Sequence, residues 1–362
     1  MKKIIKLFDP VVDKKEEEAV KKTLYSRFWA SGAGTNQVLK FENAFKEYVG
    51  TRNCVALNSG TAALHLALSL LPLKGKEVIV PSLSFVATAH AVILNGAKPV
   101  FVDVDASTGC LDSMQLEDAI TEKTKAVLPV HFAGMPCDLD RIMKICKKHD
   151  IMLVEDAAHA AGARYKKRMI GTHGTAVCFS FHPVKNLAMP TGGAITLNGK
   201  NHAHLETVLK SKRWCGISDR KGVKYNVDKL GWNYYMNEFS AAIGLEQLKK
   251  LDKTNSIRKQ IAKRYASELR IENKMQFDSD CSYHFYWICV RNRDEFMKKL
   301  QNDGIETGIH YRPIHSMKFY VGKKTVLPNT ERFGAQIVSI PTHPNLSESD
   351  VSRIIEKINK FC

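Results

Sequence analysis

The sequence predicts an α/β protein built on a doubly wound, mostly parallel sheet. Seven short apolar runs have the character of buried strands. Most of these runs alternate with segments whose apolar residues recur at helical spacing, which favours a parallel sheet with helices on both faces. The connections are expected to be right-handed crossovers. The strands are predicted over residues 54–57, 77–80, 99–104, 125–130, 151–154, 176–181 and 194–197.

The helices of this region begin with an amphipathic segment at Lys14–Ser26, where Val20 and Leu24 share one side. A glycine-rich and aromatic loop follows at residues 28–36. Residues 218–228 are predicted to be a polar connector. Further helices are predicted over residues 41–49, 62–71, 85–95, 114–120, 139–149, 203–212 and 239–251.

The length of 362 residues allows one large domain and a smaller one. We expect a large domain over residues 1–250, including the N-terminal helical segment, and a smaller α+β domain over residues 251–362. A long basic helix at 254–269 would open the second domain. Its other elements are predicted as strands at 285–290 and 305–308 and helices at 294–301 and 347–359.

The chain carries a high net charge of +17. This charge is consistent with attraction for an anionic partner, and equally with a lysine-rich solvated surface. The lysines occur in short dispersed pairs such as Lys14-Lys15 and Lys147-Lys148, without a polybasic block. This distribution argues against a nucleic-acid-binding arm.

The nine cysteines show no Cys-x-x-Cys spacing, and Cys178 and Cys289 lie inside apolar runs. The pattern favours a reducing cytoplasm and no metal site. The histidine pair His202 and His204 lacks an acidic or cysteine partner at helical spacing. We therefore interpret it as a surface pair and not as a metal site. The basic N-terminal segment is too short for a signal peptide, and no apolar stretch approaches a membrane span.

The chemistry is concentrated in residues 154–193. Asp156 follows a buried strand directly, at the sheet edge where open α/β sheets bind their ligands. The next apolar run contains Ser180 and leads to Lys185. Pyridoxal phosphate (PLP) needs an acid that keeps its pyridine nitrogen protonated, a lysine that forms a Schiff base, and a hydroxyl for its phosphate. These three residues supply one of each.

A second candidate site lies at Asn58-Ser59-Gly60-Thr61, between a strand and a helix. Free N–H groups at a helix N-terminus attract anions, Gly60 lets the backbone approach, and Thr61 adds a hydroxyl. The alternative is an ordinary N-cap, which is the commoner use of such a turn. No Gly-Lys-(Ser/Thr) follows, so the turn is not a P-loop.

These motifs resemble those of the DegT/StrS nucleotide-sugar aminotransferases, PLP enzymes of fold type I. The family pattern is Glu-Asp-Ala-Ala-(Gln/His), then Phe-Ser-Phe, then the lysine, and the chain has EDAAHA and FSFHPVKN. These two motif sequences are most similar to those of family members that make UDP-4-amino-arabinose. The resemblance covers nearly the whole chain and implies a seven-stranded sheet. One departure is Pro190-Thr191 before Gly192-Gly193, where the family usually has glycine and an acid.

The resemblance also implies a role for each site residue. Lys185 would hold the cofactor and move protons, while Asp156 would bind the pyridine nitrogen. His310 and Tyr311 would contact the substrate. The remaining cofactor contacts implied are His159 at the ring hydroxyl, Phe85 and Ala158 on opposite ring faces, Gly60, Thr61 and Ser180 at the phosphate, and Asn237 reaching the phosphate from the other subunit of a homodimer.

The implied function is transfer of an amino group from glutamate to a nucleotide-linked keto-sugar, with a 4-keto sugar favoured. The product would serve surface polysaccharide or glycan biosynthesis in the cytoplasm. A sugar 3-aminotransferase and a PLP-dependent sugar dehydratase of the same fold are the alternatives. Dehydratases often have histidine in place of Lys185, which argues against that reaction. A non-catalytic PLP-fold regulator is the alternative from another class.

Overall fold

The structure is a computed structural model that describes residues 3–320 and 325–362. In the first 250 residues its helices agree closely with the predicted ones, except for the helix expected over 114–120. In chain order they are α1 (Lys14–Ser26), α2 (Gln37–Val49), α3 (Gly60–Leu68), α4 (Ala87–Leu94), α5 (Leu139–Lys148), α6 (His202–Lys212), α7 (Glu238–Glu268), α8 (Arg293–Asn302), α9 (Pro328–Gln336) and α10 (Glu348–Phe361).

The strands form one large sheet and three small two-stranded ones. In chain order they are β1 (Asn53–Leu57), β2 (Glu77–Pro81), β3 (Lys98–Val102), β4 (Thr124–Val127), β5 (Met152–Asp156), β6 (Arg164–Tyr165), β7 (Arg168–Met169), β8 (Ala176–Ser180), β9 (Gly193–Leu197), β10 (Ile217–Lys221), β11 (Lys224–Val227), β12 (Tyr286–Cys289) and β13 (Ile337–Ile340).

The large sheet has the seven predicted strands in the order β1-β9-β8-β5-β4-β2-β3. Six strands run in the same direction, and β9 is antiparallel to both of its neighbours. The predicted α/β fold with a mostly parallel seven-stranded sheet is therefore confirmed. The strands are apolar along their length because helices cover both faces of a doubly wound sheet.

Alternation along each strand divides the core into two layers. On β5, Leu153 belongs to the apolar cluster on one face and Val154 to the cluster on the other. Helices α2, α5 and α7 pack into the first cluster, while α3, α4 and α6 pack into the second. Side chains of a strand point alternately to opposite faces, so five residues suffice to contact both layers.

The C-terminal part contains the pair β12–β13 with α8, α9 and α10. The N-terminal segment packs against it, because Ile5 donates its N–H to the carbonyl oxygen of Gly304 at 2.8 Å. Helix α7 continues without a break across residues 250 and 251, the predicted domain boundary. The division into two domains therefore stays a prediction.

Three local predictions are wrong. The helix expected over 114–120 is only a short 3-10 turn at Glu117–Ala119, because the Asp112 side chain accepts hydrogen bonds from the Met114 N–H and the Gln115 amide and favours a turn. The strand expected over 305–308 makes only isolated bridges, to Ile5 and Ser339. The connector at 218–228 is the hairpin β10–β11.

A buried ion pair ties the glycine-rich loop to the sheet. Arg213 is fully buried and donates hydrogen bonds to the Glu42 carboxylate, to the Ala56 carbonyl at 3.0 Å and to the Ala33 carbonyl at 3.1 Å. The Ala56 N–H donates to the same carboxylate at 2.8 Å. Lys210 lies 3.8 Å from the other Glu42 oxygen.

Replacing Arg213 should therefore destabilise the fold. We expect Arg213→Met to lower the free energy of unfolding by about 3–5 kcal/mol, because it removes the main partner of a buried carboxylate. Urea unfolding at a fixed protein concentration measures the change. Arg264→Met is the control: it breaks an exposed pair with Glu268 and should cost less than about 1 kcal/mol. Equal losses in the two variants would contradict the importance of the buried pair.

Candidate active site

A cavity of about 330 Å³ lies at the carboxyl edge of the large sheet. Asp156 and Ser180 are the last residues of β5 and β8, and Gly60 follows β1 closely. The carboxyl ends of parallel strands meet at one edge, so residues far apart in the chain converge there. The cavity therefore occupies the place where this class of fold binds its ligands.

Ten of the eleven predicted site residues line this cavity, and Asn237 does not. Asn237 caps α7, and its side-chain oxygen accepts a hydrogen bond from the Ser240 N–H at 2.8 Å. The ten that line the cavity are Gly60, Thr61, Phe85, Asp156, Ala158, His159, Ser180, Lys185, His310 and Tyr311.

The Asp156 carboxyl group is buried and held by two donors. The Thr88 hydroxyl donates to Oδ2 at 2.9 Å, and the Ala158 N–H donates to Oδ1 at 3.1 Å. Burial raises the pKa of Asp156, while these donors and the charge of Lys185 act in the opposite direction. Such a carboxylate is well suited to a cationic donor such as a protonated ring nitrogen, because the pairing relieves the cost of burying its charge.

The Lys185 amine is the second ionisable group of the cavity, and the residue is partly buried. Burial lowers the pKa of Lys185 to about 8, although the charge of Asp156 favours the ammonium form. A lysine with this pKa is partly unprotonated near neutral pH, as a nucleophilic amine requires. Its Nζ lies 3.4 Å from Nε2 of His284.

The end of the cavity predicted to hold a phosphate is built from the start of α3 and the end of β8. The Ser59 hydroxyl caps α3 by accepting a hydrogen bond from the Ala62 N–H at 3.1 Å. The turn therefore also forms the ordinary N-cap that was the alternative interpretation of its sequence. A Cβ on Gly60 would lie 2.6 Å from the Ser180 Cβ, which explains the glycine. The Thr191 hydroxyl bonds the Asn58 carbonyl and anchors the turn. The helix N-terminus and the nearby hydroxyls suit an anion.

At the opposite wall, His159 pairs with Tyr311, and their Nε2 and hydroxyl oxygen lie 3.0 Å apart. Burial lowers the pKa of His159 well below its ordinary value and raises the pKa of Tyr311. The neutral imidazole therefore accepts from the tyrosine hydroxyl and carries its proton on Nδ1. That atom has no partner among the described residues, so it is available to a ligand oxygen. Phe85 is 57% exposed at the mouth.

Sequence reasoning missed Thr88 and His284, which contact the two ionisable groups. Thr88 lies in the first turn of α4, with its hydroxyl 2.7 Å from that of Ser84, and nothing in its local sequence links it to Asp156. His284 comes from the C-terminal part of the chain, and nothing in its local sequence links it to Lys185.

The fold and the cavity are those of an aminotransferase that uses pyridoxal phosphate. The residues fit the cofactor: a buried carboxylate, a partly buried amine of lowered pKa and a helix N-terminus suited to an anion share one cavity. Residues 10–359 match the DegT/DnrJ/EryC1/StrS aminotransferase family, and the chain belongs to that family. The predicted family, enzyme class and cofactor are thus confirmed.

Individual relatives agree with this assignment. The spore coat polysaccharide biosynthesis protein SpsC of Bacillus subtilis is 36% identical over 96% of this chain and 95% of its own length. PseC of Helicobacter pylori, an aminotransferase involved in pseudoaminic acid biosynthesis, superposes with a TM-score of 0.93 at 28% identity, over 99% of both chains. The PLP form of Spr1654 from Streptococcus pneumoniae gives 0.93 at 29% identity, over 99% of this chain and 98% of that one.

In the described residues, no helix is both long and apolar enough to cross a membrane.

The lowered pKa of Lys185 predicts how the apoenzyme captures its cofactor. The ammonium form cannot attack an aldehyde, so the rate of covalent capture of PLP should rise with pH and level off above about 8. Borohydride quenching followed by peptide mapping should place the adduct on Lys185. An ordinary lysine would give a midpoint near 10.5 instead. An adduct on another lysine, or none, would show that the assignment is wrong.

Proposed function

We propose that the chain transfers an amino group from glutamate to a nucleotide-linked 4-keto sugar, as a step in the synthesis of a surface polysaccharide or glycan. The observation that carries this proposal is the meeting of Asp156 and Lys185 with the segment of His310 and Tyr311 in one cavity. The resemblance to nucleotide-sugar aminotransferases and the similarity to SpsC, named for polysaccharide biosynthesis, support the substrate class.

Asp156 and Lys185 would divide the chemistry between them. PLP, when bound, supplies the conjugated ring that takes up electrons as the substrate loses a proton. Asp156 would keep the ring nitrogen protonated through a charge-assisted hydrogen bond, which is typically worth about 1.5–3 kcal/mol. The Lys185 amine would accept a proton from the carbon on one side of the transferred nitrogen and deliver it to the carbon on the other side. A pKa of about 8 suits it to both tasks.

The remaining residues would bind and orient. Gly60, Thr61 and Ser180 would hold the phosphate, and His159 would donate its unpaired Nδ1 proton to the ring oxygen. Phe85 would cover one ring face and Ala158 the other. His310 would face the sugar as a neutral group, because burial lowers the pKa of His310 to about 4. His310 also contacts the Ser339 hydroxyl through Nδ1 at 2.9 Å, which orients its ring.

The presence of Lys185 in the cavity favours transamination over the dehydratase and regulator alternatives. A dehydratase of this fold often has histidine in this place. A regulator without catalysis has no need for a buried amine of lowered pKa, because burying an ionisable group carries a free-energy cost that catalysis would justify.

A substrate screen tests the proposal. We expect the holoenzyme with glutamate to aminate a nucleotide 4-keto sugar, with UDP-4-keto-arabinose included among UDP-, dTDP- and GDP-linked 4-keto and 3-keto sugars. Mass spectrometry would detect the amino sugar, and NMR would locate the new nitrogen. Lys185→Ala is the control and should form no product. Amination only at carbon 3 would contradict the 4-keto substrate. Amination only with another donor would contradict glutamate as the donor. Loss of water without amination would contradict transamination.

We further propose that two chains form a homodimer with shared active sites. Asn237 lies outside its own cavity, and the Glu238 N–H donates to the Trp29 carbonyl at 2.9 Å, so the start of α7 is joined to the glycine-rich loop. Four large apolar residues in that loop or just before it are between 37% and 74% exposed, which is typical of an interaction surface. They are Leu24, Tyr25, Phe28 and Trp29.

Mixed dimers would reveal the sharing. Lys185→Ala removes the amine, and Asn237→Asp sets a carboxylate against the cofactor phosphate. Aspartate is as good a helix cap as asparagine, so α7 should remain intact. In a mixed dimer one site receives both defects and the other receives none. Activity should therefore return when the two inactive variants are refolded together.

Asn237→Ser is the matched control for this experiment. Serine also caps a helix but adds no charge, so this variant should keep more activity than Asn237→Asp. If mixed dimers form, as mass spectrometry of the intact complex would show, and no activity returns, then both residues serve the same chain and the shared site is wrong.

A further inference from the structure

The Lys185 amine meets a histidine from the C-terminal part of the chain. Its Nζ lies 3.4 Å from Nε2 of His284, which stands two residues before β12. Within residues 3–320 and 325–362, this is the one hydrogen bond that Nζ makes. His284 is only 2% exposed, so its ring is surrounded by protein.

The imidazole of His284 is held in place by its neighbours. The Phe8 ring stacks on it at a centroid distance of 5.2 Å and an angle of 18°, and the His159 ring lies at 4.7 Å and 33°. Its backbone N–H donates to the Ala133 carbonyl at 2.9 Å. These contacts come from three separate parts of the chain and restrict rotation of the ring.

His284 is an uncharged acceptor. Burial lowers the pKa of His284 well below its ordinary value, and the positive charges of Lys185 and Arg258, with the neighbouring His159 and His310, act in the same direction. Because Nε2 faces an amine donor, we assign the ring proton to Nδ1, which has no partner in the described part of the chain.

We propose that His284 is the positioning residue for Lys185: its Nε2 accepts a hydrogen bond from Nζ and holds the amine at the wall of the cavity. A neutral acceptor suits a lysine that must lose and regain a proton, because it orients the amine without adding negative charge. A carboxylate in this place would instead hold the amine protonated. The inference rests on the aminotransferase class and not on the identity of the sugar.

The pKa of Lys185 in the apoenzyme tests this proposal without any substrate. Labelling with acetic anhydride across a range of pH, read by mass spectrometry of the Lys185 peptide, gives the midpoint of its protonation. His284→Phe keeps a ring of similar size but removes the acceptor. We expect the midpoint to fall by about one pH unit, because one hydrogen bond to the ammonium form is lost. Covalent capture of PLP above that midpoint should also slow by about fivefold, because the amine is no longer held.

Two further variants distinguish positioning from a structural role. His284→Gln places an amide oxygen near the position of Nε2 and should restore both the midpoint and the capture rate. His343→Phe is the matched control, because His343 is also buried, with Nε2 3.0 Å from the Lys6 carbonyl and Nδ1 without a partner in the described residues. It should leave the Lys185 midpoint unchanged.

The proposal is overturned if His284→Phe keeps the wild-type midpoint and capture rate, or if His284→Gln behaves like the phenylalanine variant. Far-UV circular dichroism would check that each variant is folded. If His284→Phe does not fold, His284→Asn replaces it, because the shorter amide ends near Nδ1 and cannot reach Lys185.

Discussion

The cost of burying charge governs the structure around the active site. Asp156 and Lys185 line one cavity and are largely surrounded by protein, where an isolated ion would be destabilised. Each group is therefore supplied with partners: two donors for the carboxylate, and a neutral acceptor for the amine. Burial has a free-energy cost for these charged groups, and it also lowers the pKa of Lys185 to about 8. The chemistry of the site thus follows from the partial burial of its two ionisable groups.

Strand alternation decides which of two adjacent acids takes part in that chemistry. Glu155 and Asp156 both lie at the end of β5, but they point to opposite faces of the sheet. Glu155 is fully buried, and its carboxylate accepts hydrogen bonds from His131 Nε2 at 2.9 Å and from the Gly174 N–H. Its hydrogen bonds are therefore made within the core. Asp156 opens onto the cavity instead. One carboxylate is structural and the next is available to a ligand.

Periodicity and local motifs explain which features could be predicted. The seven strands of the large sheet were predicted because they are apolar runs, and Asp156, Ser180 and Lys185 because they lie at or close after the ends of such runs. Gly60 and Thr61 were predicted from their place between a strand and a helix. Phe85, Ala158, His159, His310 and Tyr311 were predicted from the family resemblance alone. Helix α9 was missed because Asp103, more than two hundred residues away, caps it by accepting from the N–H groups of Asn329 and Thr330. His284 was missed for the same reason: its contact with Lys185 depends on tertiary packing. Contacts between residues that are distant in the chain leave no pattern in a local stretch of sequence.

Tertiary packing also bears on how independent the two predicted domains can be. The surroundings of Lys185 are assembled from Phe8 near the N-terminus, His159 after β5, and His284 and His310 beyond α7. Helix α7 itself belongs to both sides of the proposed boundary. A cut at residue 250 would remove the acceptor of the Lys185 amine and one wall of the cavity together. The large sheet places most of the residues proposed to bind the cofactor, but the low pKa of the lysine depends on burial that the C-terminal part completes.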